Sequence, residues 1–301
     1  MAVVATGLAQ SFTVSGRVTD ATTGEYILGA NVVNVKEGKG MATNAYGFFS
    51  MTLPAGSATL SCSFIGYETA TKTFAGNQDE DWNVALAPQA IAVDAAEVVG
   101  TAGQNTQSTD LGKAEVAIAT IQRLPALMGE VDVLKAIQLL PGIQSAGEGN
   151  SGFYVRGGGP DQNLLLLDNA AIYNASHLFG FFSVFNADAI SNVEVYKGSM
   201  PARFGGRVSS VLDLGLREGN RNEFKGSGGI GLISSRLTLE GPIKRGVSSF
   251  IVSARRTYID VLTKPFIQNT QAAGSGYYFY DLNAKFNHRF SEKDEVFLSG
   301  Y

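Results

Sequence analysis

Histidine and cysteine are nearly missing from this sequence. His177 and His288 are the two histidines in 301 residues, and Cys62 is the one cysteine. A zinc peptidase needs several His and carboxylate ligands on one scaffold. With no H-E-x-x-H present, no metal, cofactor or catalytic residue is expected and the chain reads as a non-enzyme. A lone cysteine allows no internal disulfide and leaves the compartment open. Basic excess is lacking too. The formal net charge is −4, whereas a general nucleic-acid binder carries a positive balance. No apolar run reaches the roughly 18 residues that a membrane helix needs. What is abundant is glycine, 36 residues against 17% charged and 45% apolar, a balance that suits strands and turns more than helices. The length leaves room for two or three domains.

Residues 1–11, within "MAVVATGLAQSF", are an apolar stretch ending in small residues. They read as a signal-peptide remnant that lacks the usual positive n-region. Residues 12–88 are short strands broken by turn residues. "FTVSGRVTD" and "GANVVNV" alternate, and "NAYGFFSMTLPAGSATLSCSF" carries two strands joined at Pro54, Ala55 and Gly56, where Pro presets φ and Gly relieves the turn. Strands at this spacing predict a small antiparallel sandwich. The acidic group Asp79, Glu80 and Asp81 fits a solvated turn better than a cation site. The runs "GRVTDATTGEYILGANVVN", "TNAYGFFSMTLPAG" and "SFIGYET" resemble the carboxypeptidase-regulatory-like domain, a transthyretin-like β-sandwich. Without zinc ligands, this domain is expected to be a module and not a peptidase.

Residues 89–120 are small and polar with few bulky side chains, a composition that reads as a mobile linker. Inside it lies one β-prone island, Glu97, Val98, Val99, Gly100 and Thr101, suited to adding as a strand to another protein's sheet.

Residues 121–219 differ in style. "GEVDVLKAIQLLPGIQ" places Val131, Leu134, Ile137 and Leu140 at three-residue steps before Pro141 and Gly142 stop the helix. Residues 164–167 form a continuous apolar run, as in a strand buried on both faces. "RGGGPDQN" lacks the G-K-[ST] ending of a phosphate loop, so a glycine turn is the reading. A short helix capped by Asn186, a strand over 193–196 and a strand over 208–214 follow.

In order, "LLPGIQ", "YVRGGG", "LLLLDNAAIYN", "ISNVEVYKGSMPARFGG" and "VSSVLDLGLREG" resemble the plug domain of TonB-dependent outer-membrane receptors. By that resemblance the island at Glu97, Val98, Val99, Gly100 and Thr101 is the candidate TonB box, although Gly100 replaces the usual third Val. The plug-motif positions are Arg156, Gly157, Asp168, Lys197, Gly198, Arg203, Gly205 and Gly206. Asp168-Asn169 stands where many members have Asp-Gly, and Asn also tolerates that turn. Arg156, Lys197, Arg203 and Arg207 are expected either to hold the plug to acidic groups of a barrel wall or to face its wet interior. Phe179, Phe181, Phe182 and Phe185 are assigned to the plug core, and Tyr173, Asn174 and His177 to a ligand-facing loop.

Residues 220–301 turn to long strands. An 18-residue segment over 224–241 would run about 60 Å as one strand, so it is read as two, breaking near 231–234. In "YYFYDLNAKFNHRF", Tyr280, Leu282, Ala284, Phe286, His288 and Phe290 share one parity. Asp281, Asn283, Lys285, Asn287 and Arg289 share the other. A strand on a soluble core alternates in the same way. The tight turns "GPIKRGVS" and "SEKDE" and the long "TKPFIQNTQAAGSG", however, match the short periplasmic turns and long external loops of outer-membrane barrels. That assignment lets one strand end near Thr263, puts the apolar parity on lipid and aims Asp281, Asn283, Lys285 and Arg289 at the plug.

The expected fold class is mainly β, with a transthyretin-like β-sandwich, an α+β plug domain and the first strands of an antiparallel transmembrane β-barrel. A plugged barrel takes about 22 strands, so the chain is read as a truncated piece of a longer product. The resemblance implies a Gram-negative outer-membrane receptor with its N-terminal domain in the periplasm. Its implied partners are TonB, outer-membrane lipid and a small ligand (iron chelate, cobalamin, glycan or peptide), with a surface lipoprotein as a further candidate. Energy-coupled import is the leading activity. A sensing or surface-adhesion receptor without transport is the alternative.

Overall fold

The computed structural model describes residues 11–89, 112–124, 129–271, 273–291 and 294–301. The segment 1–10 and the island at Glu97, Val98, Val99, Gly100 and Thr101 lie outside the described residues. Contacts divide the chain into two compact units, Met1–Ala95 and Ala96–Tyr301. The described residues are mostly strand, with little helix.

The first unit is a sandwich of β1 (Ser11–Asp20), β2 (Asn31–Asn34), β3 (Gly40–Ala42), β4 (Phe48–Pro54), β5 (Ala58–Ser63), β6 (Ala70–Phe74), β7 (Glu80–Asp81) and β8 (Val84–Leu86). One sheet runs β3-β2-β5-β6, and the other centres on β1 between β4 and the β7–β8 segment. Along β1 every second residue is buried, which delivers Phe12, Val14 and Val18 to a core shared with Val32, Phe49, Leu60 and Trp82. Each such side chain contributes about 1.5–3 kcal/mol on burial. The sandwich is not wholly antiparallel, because β7 and β8 both pair with β1 in parallel. After β6 the chain crosses to the other sheet and runs beside β1 in the same direction. Gly16 permits that approach, since the Trp82 carbonyl occupies the place of its Cβ. The acidic group is tied into this seam. Asp79 accepts from the Thr13 amide at 2.7 Å, and Asp81 accepts from the Ser15 hydroxyl at 2.9 Å. Among the described residues no cluster fits a metal ion.

The second unit begins with β9 (Lys113–Ala117), α1 (Ile118–Ile121), α2 (Val133–Ile137), β10 (Ile143–Ser145), β11 (Phe153–Val155), β12 (Asn163–Leu167), β13 (Ala170–Ala171), β14 (Ser176–His177), β15 (Phe182–Ser183), β16 (Ile190–Lys197) and β17 (Ser210–Leu216). Five of these form one sheet in the order β13-β12-β17-β16-β9, with β12 and β17 parallel. Its two faces explain the apolar run in β12. Leu165 and Leu167 join the main core with Leu134, Ile137 and Phe185. Leu166 turns the other way, to Tyr196 and Val211. Asp132 caps α2 by accepting from the Leu134 and Lys135 amides at 2.9 and 3.2 Å. The helix spans five residues, so of the predicted stripe Leu134 and Ile137 are its members while Val131 and Leu140 flank it. The predicted helix after Asn186 is absent. Asn186 instead makes an Asx turn, accepting from the Asp188 amide at 3.1 Å, because its amide group is drawn sideways to Ser253.

The chain then forms an antiparallel meander of β18 (Lys225–Ile230), β19 (Ser234–Lys244), β20 (Ser248–Thr257), β21 (Tyr280–Arg289) and β22 (Glu295–Gly300), paired in sequence order. The break foreseen near 231–234 is present. β20 stops at Thr257, short of Thr263, and α3 (Ile259–Ile267) follows. Ile259, Thr263 and Ile267 stand at four-residue steps there, and the Thr263 hydroxyl donates to the Ile259 carbonyl at 2.8 Å. The meander is inverted relative to a soluble sheet. Leu237, Leu239, Val252, Leu282 and Leu298 are exposed on one face, while Thr238, Ser253, Arg255, Asp281, Asn283 and Lys285 are buried on the other. A buried polar face and an exposed apolar one is the informative arrangement.

Candidate functional site: the seam between plug sheet and meander

The buried polar face of the meander meets the loops of the preceding sheet, and the contact is built from charge. At its centre Arg255 on β20 is 4% exposed. Its Nε and Nη2 donate to Asp281 Oδ2 at 2.9 and 2.5 Å, and Nη2 also reaches the Ser183 carbonyl at 2.6 Å. Its Nη1 stands 3.5 Å from Glu130 Oε2, and the Ser234 hydroxyl donates to Glu130. His177 closes the other side. Its Nε2 lies 2.7 Å from Asp281 Oδ1, and its ring stacks on Phe279 at 4.1 Å between centroids. Burial pushes the Glu130 carboxyl above its ordinary range, against the pull of Arg255.

Further along the seam Arg236 pairs with Asp188 at 2.8 Å, and Arg217 pairs with Glu240 at 2.8 Å. Lys285 reaches Asp168 at 3.0 Å. Arg221 joins Glu295 on β22 at 2.5 Å. Of the side chains aimed at the plug from sequence, Asp281, Asn283 and Lys285 are buried on this face and Arg289 is half-buried.

The plug-motif residues divide into two groups. Asp168 belongs to the seam, with φ 48° and Oδ1 accepting from the Leu216 amide at 2.8 Å. The others gather at the opposite end of the sheet. Arg156 (φ 47°) leads the turn through Gly157, and its guanidinium crosses Gly198, where a Cβ would lie 2.7 Å from Nη1. Lys197 donates to the Pro141 carbonyl at 2.9 Å. Burial and the neighbouring Arg156 charge hold its ammonium below the usual pKa. Arg203 donates to the Tyr196 hydroxyl at 3.0 Å and lies over Phe204. Arg207 is exposed near Gly205 and Gly206. Among the described residues none of these four cations makes an ion pair, and none bonds to the meander.

Of the assigned core aromatics, Phe182 and Phe185 are buried but Phe181 is 48% exposed. The side chain of Phe179 lies outside what is described. Of the ligand-facing trio, Tyr173 is 89% exposed and lines a cleft of about 280 Å³ beside β12 and β13, with Phe153, Leu165, Ile172 and Arg207. The Asn174 side chain accepts weakly from the Ser176 amide at 3.5 Å, and His177 is committed to the seam. Sequence reading missed Glu130, Arg217 and Arg255. Arg255 sits at a polar position of an alternating strand, which was the one signal pointing to it.

Residues 14–99 match the CarboxypepD_reg-like domain family, and residues 112–210 match the TonB-dependent receptor plug domain family. No curated protein matches the chain. Among solved structures it is similar to the siderophore receptor PirA from Acinetobacter baumannii, at 21% identity over 65% of this chain and 31% of that one, TM-score 0.46. PirA from Pseudomonas aeruginosa matches at 18% identity over 62% of this chain and 32% of that one, TM-score 0.44. The outer-membrane transporter YddB from Escherichia coli matches at 16% identity over the same shares, 62% and 32%, TM-score 0.44. The match spans about a third of the length of these proteins, 31% and 32%. The chain thus carries the plug domain of the TonB-dependent receptors behind a CarboxypepD_reg-like domain.

Proposed function

We propose that this chain is the plug-bearing part of an energised outer-membrane receptor that imports a bound ligand. The observation that carries the reading is the inverted meander, which offers an apolar face outward and clasps the plug with buried charge. In this reading the apolar face contacts outer-membrane lipid, and further strands complete the barrel, since an open sheet edge is not stable in hydrocarbon. The long connection with α3 points outward and the CarboxypepD_reg-like domain sits in the periplasm. Arg156, Lys197, Arg203 and Arg207, at the far end of the plug sheet, either meet acidic groups of the barrel wall or face its wet interior.

Ligand bound outside, at the loop bearing Tyr173, makes the linker available. TonB then adds a strand to Glu97, Val98, Val99, Gly100 and Thr101, and the pull disturbs the plug. A Val98→Pro change removes one strand hydrogen bond and distorts the pairing. It is expected to abolish accumulation of ligand inside cells while leaving surface binding unchanged. Unchanged uptake in that variant would remove the box from these five residues. Uptake that is absent from the wild type, with binding retained, would turn the reading to a sensor or adhesin.

A further inference from the structure

In the central seam cluster one carboxylate lacks a close counter-charge, because His177, the second group able to carry positive charge there, is spent on Asp281 at 2.7 Å. One guanidinium, Arg255, faces two carboxylates, Asp281 and Glu130, and the Asp281 side chain is wholly buried while those of Arg255 and Glu130 are 3% and 6% exposed. The nearby Arg236 offers no surplus, because it is paired with Asp188. Asp132 is engaged with backbone amides of α2 and of Ser183. The hydroxyl of Tyr301 donates to Asp281 at 3.0 Å, and that of Tyr258 donates to the carbonyls of Gly231 and Ser234. Neither supplies charge. A buried carboxylate with no close counter-charge is costly, and proteins relieve such sites by binding a proton.

The geometry selects the group that takes it. Asp281 accepts Nε and Nη2 of Arg255 on one oxygen and His177 and Tyr301 on the other, so its charge is fully answered. Glu130 receives only the distant edge of the same guanidinium, 3.5 Å away, and the hydroxyl of Ser234. We propose that Glu130 is a proton-binding site of the seated plug, taking one proton from water as the plug closes on the meander and returning it when the plug leaves. The bond formed is the carboxyl O–H, and the bond broken on release is the same one. Burial already raises the affinity of this carboxyl for a proton, even beside Arg255.

This rests on the reading that the plug departs from the meander during transport, but the site itself needs only the closed state. The linkage has a fixed sign. A group whose pKa is raised by docking favours the docked form fully below its solvated pKa of about 4.3. That contribution is lost as pH rises through the docked value, by up to about tenfold in the docking equilibrium per pH unit between the two. Alkalinity therefore loosens this contact and acid tightens it.

Infrared difference spectra of the full chain in detergent, wild type minus Glu130→Gln, test the proposal without ligand or TonB. A protonated-carboxyl band near neutral pH that is missing from the variant is expected, with the exposed Glu148→Gln as control. Asp213 and Glu115, whose carboxyls are also pushed up, to about 6 and about 7, add bands of their own, so if Glu130→Gln folds poorly the band is assigned with Glu130→Asp, in which it should shift while theirs stay in place. Glu130→Gln, which mimics the protonated form, should keep the plug docked at pH 8 as tightly as the wild type or more so, and should flatten the pH dependence. If the wild type shows no protonated-carboxyl band that Glu130→Gln removes or Glu130→Asp shifts, the proposal falls. It falls equally if Glu130→Gln loosens the plug at every pH, which would make Glu130 an ionised partner of Arg255. Either result leaves the transport reading untouched, since that reading stands or falls on uptake by the Val98→Pro variant.

Discussion

The ammonium of Lys285, on β21, lies 3.0 Å from the carboxylate of Asp168 in the turn that follows β12. Both side chains are over nine-tenths buried. Asp168 also fixes the Leu216 amide, while Lys285 donates to the Leu216 carbonyl at 3.0 Å. One residue of the final plug strand is therefore gripped from both sides. Asp168→Asn keeps a side chain that tolerates the left-handed turn but strips the counter-charge from a buried lysine. Breaking such a pair from one side costs about 3 kcal/mol or more. Denaturant unfolding of the second unit should show that loss. A midpoint within error of the wild type would mean that water or another group already neutralises Lys285.

Asp213 gives a pH-dependent test on the plug sheet. It stands directly across from Glu194 in the β16–β17 pairing, with Glu115 the next partner beyond. Burial first, and then the like charge of Glu194, push its carboxyl up to about 6. A raised pKa means that its contribution to stability is complete below about 3.9 and is lost as pH rises through about 6. Asp213→Asn should thus stabilise the plug at pH 8, by on the order of 1 kcal/mol once screening is allowed for, and do little at pH 4. Equal effects at both pH values would show that the gain is not one of charge.

Where the plug becomes the meander, the chain passes through Gly219 at φ 82°. A Cβ there would collide with the Phe250 carbonyl on β20, a backbone group that cannot swing aside. Positive φ alone costs an alanine about 1–2 kcal/mol, and the collision adds to it. Gly219→Ala is expected to lower the thermal transition of the second unit by several degrees. An unaltered transition would place the junction's freedom elsewhere, for example in Asn220.

How much of this was legible in the sequence depends on the distance over which a residue's partner lies. Local patterns held. The two-residue alternation of β21 assigned Leu282 outward and Asp281, Asn283 and Lys285 inward, and the length of the 224–241 segment required the break now seen at 231–233. Ile251, an apolar residue at an inward position of β20, is 2% exposed next to Gly219. The misses came from long-range contacts. Asn186 reads as a helix cap until Ser253 draws its amide away. Glu130 carries no signal of its own. Its partner Ser234 is 104 positions away, and no periodicity announces that meeting.

Trp82 is the chain's only tryptophan, and it stands in the sandwich core, edge-on to Phe49 and Phe74 with ring centroids 6.1 and 5.7 Å apart. Its emission is therefore a built-in reporter of the first unit. Phe74 is 1% exposed at the end of β6, and Lys72 lays its ammonium over the same ring at 4.7 Å. Phe74→Ala removes the ring from between Trp82 and Lys72 and leaves a cavity that rigid flanking strands fill poorly. The expected loss is about 3–4 kcal/mol, with Trp82 emission shifted to the red before unfolding begins, because water gains access to the indole. Lys72→Met keeps the ring covered by an apolar stem and should cost under about 1 kcal/mol. If the two variants were equally damaging, the ammonium over Phe74, and not the packing of the ring on Trp82, would hold this end of the sandwich together.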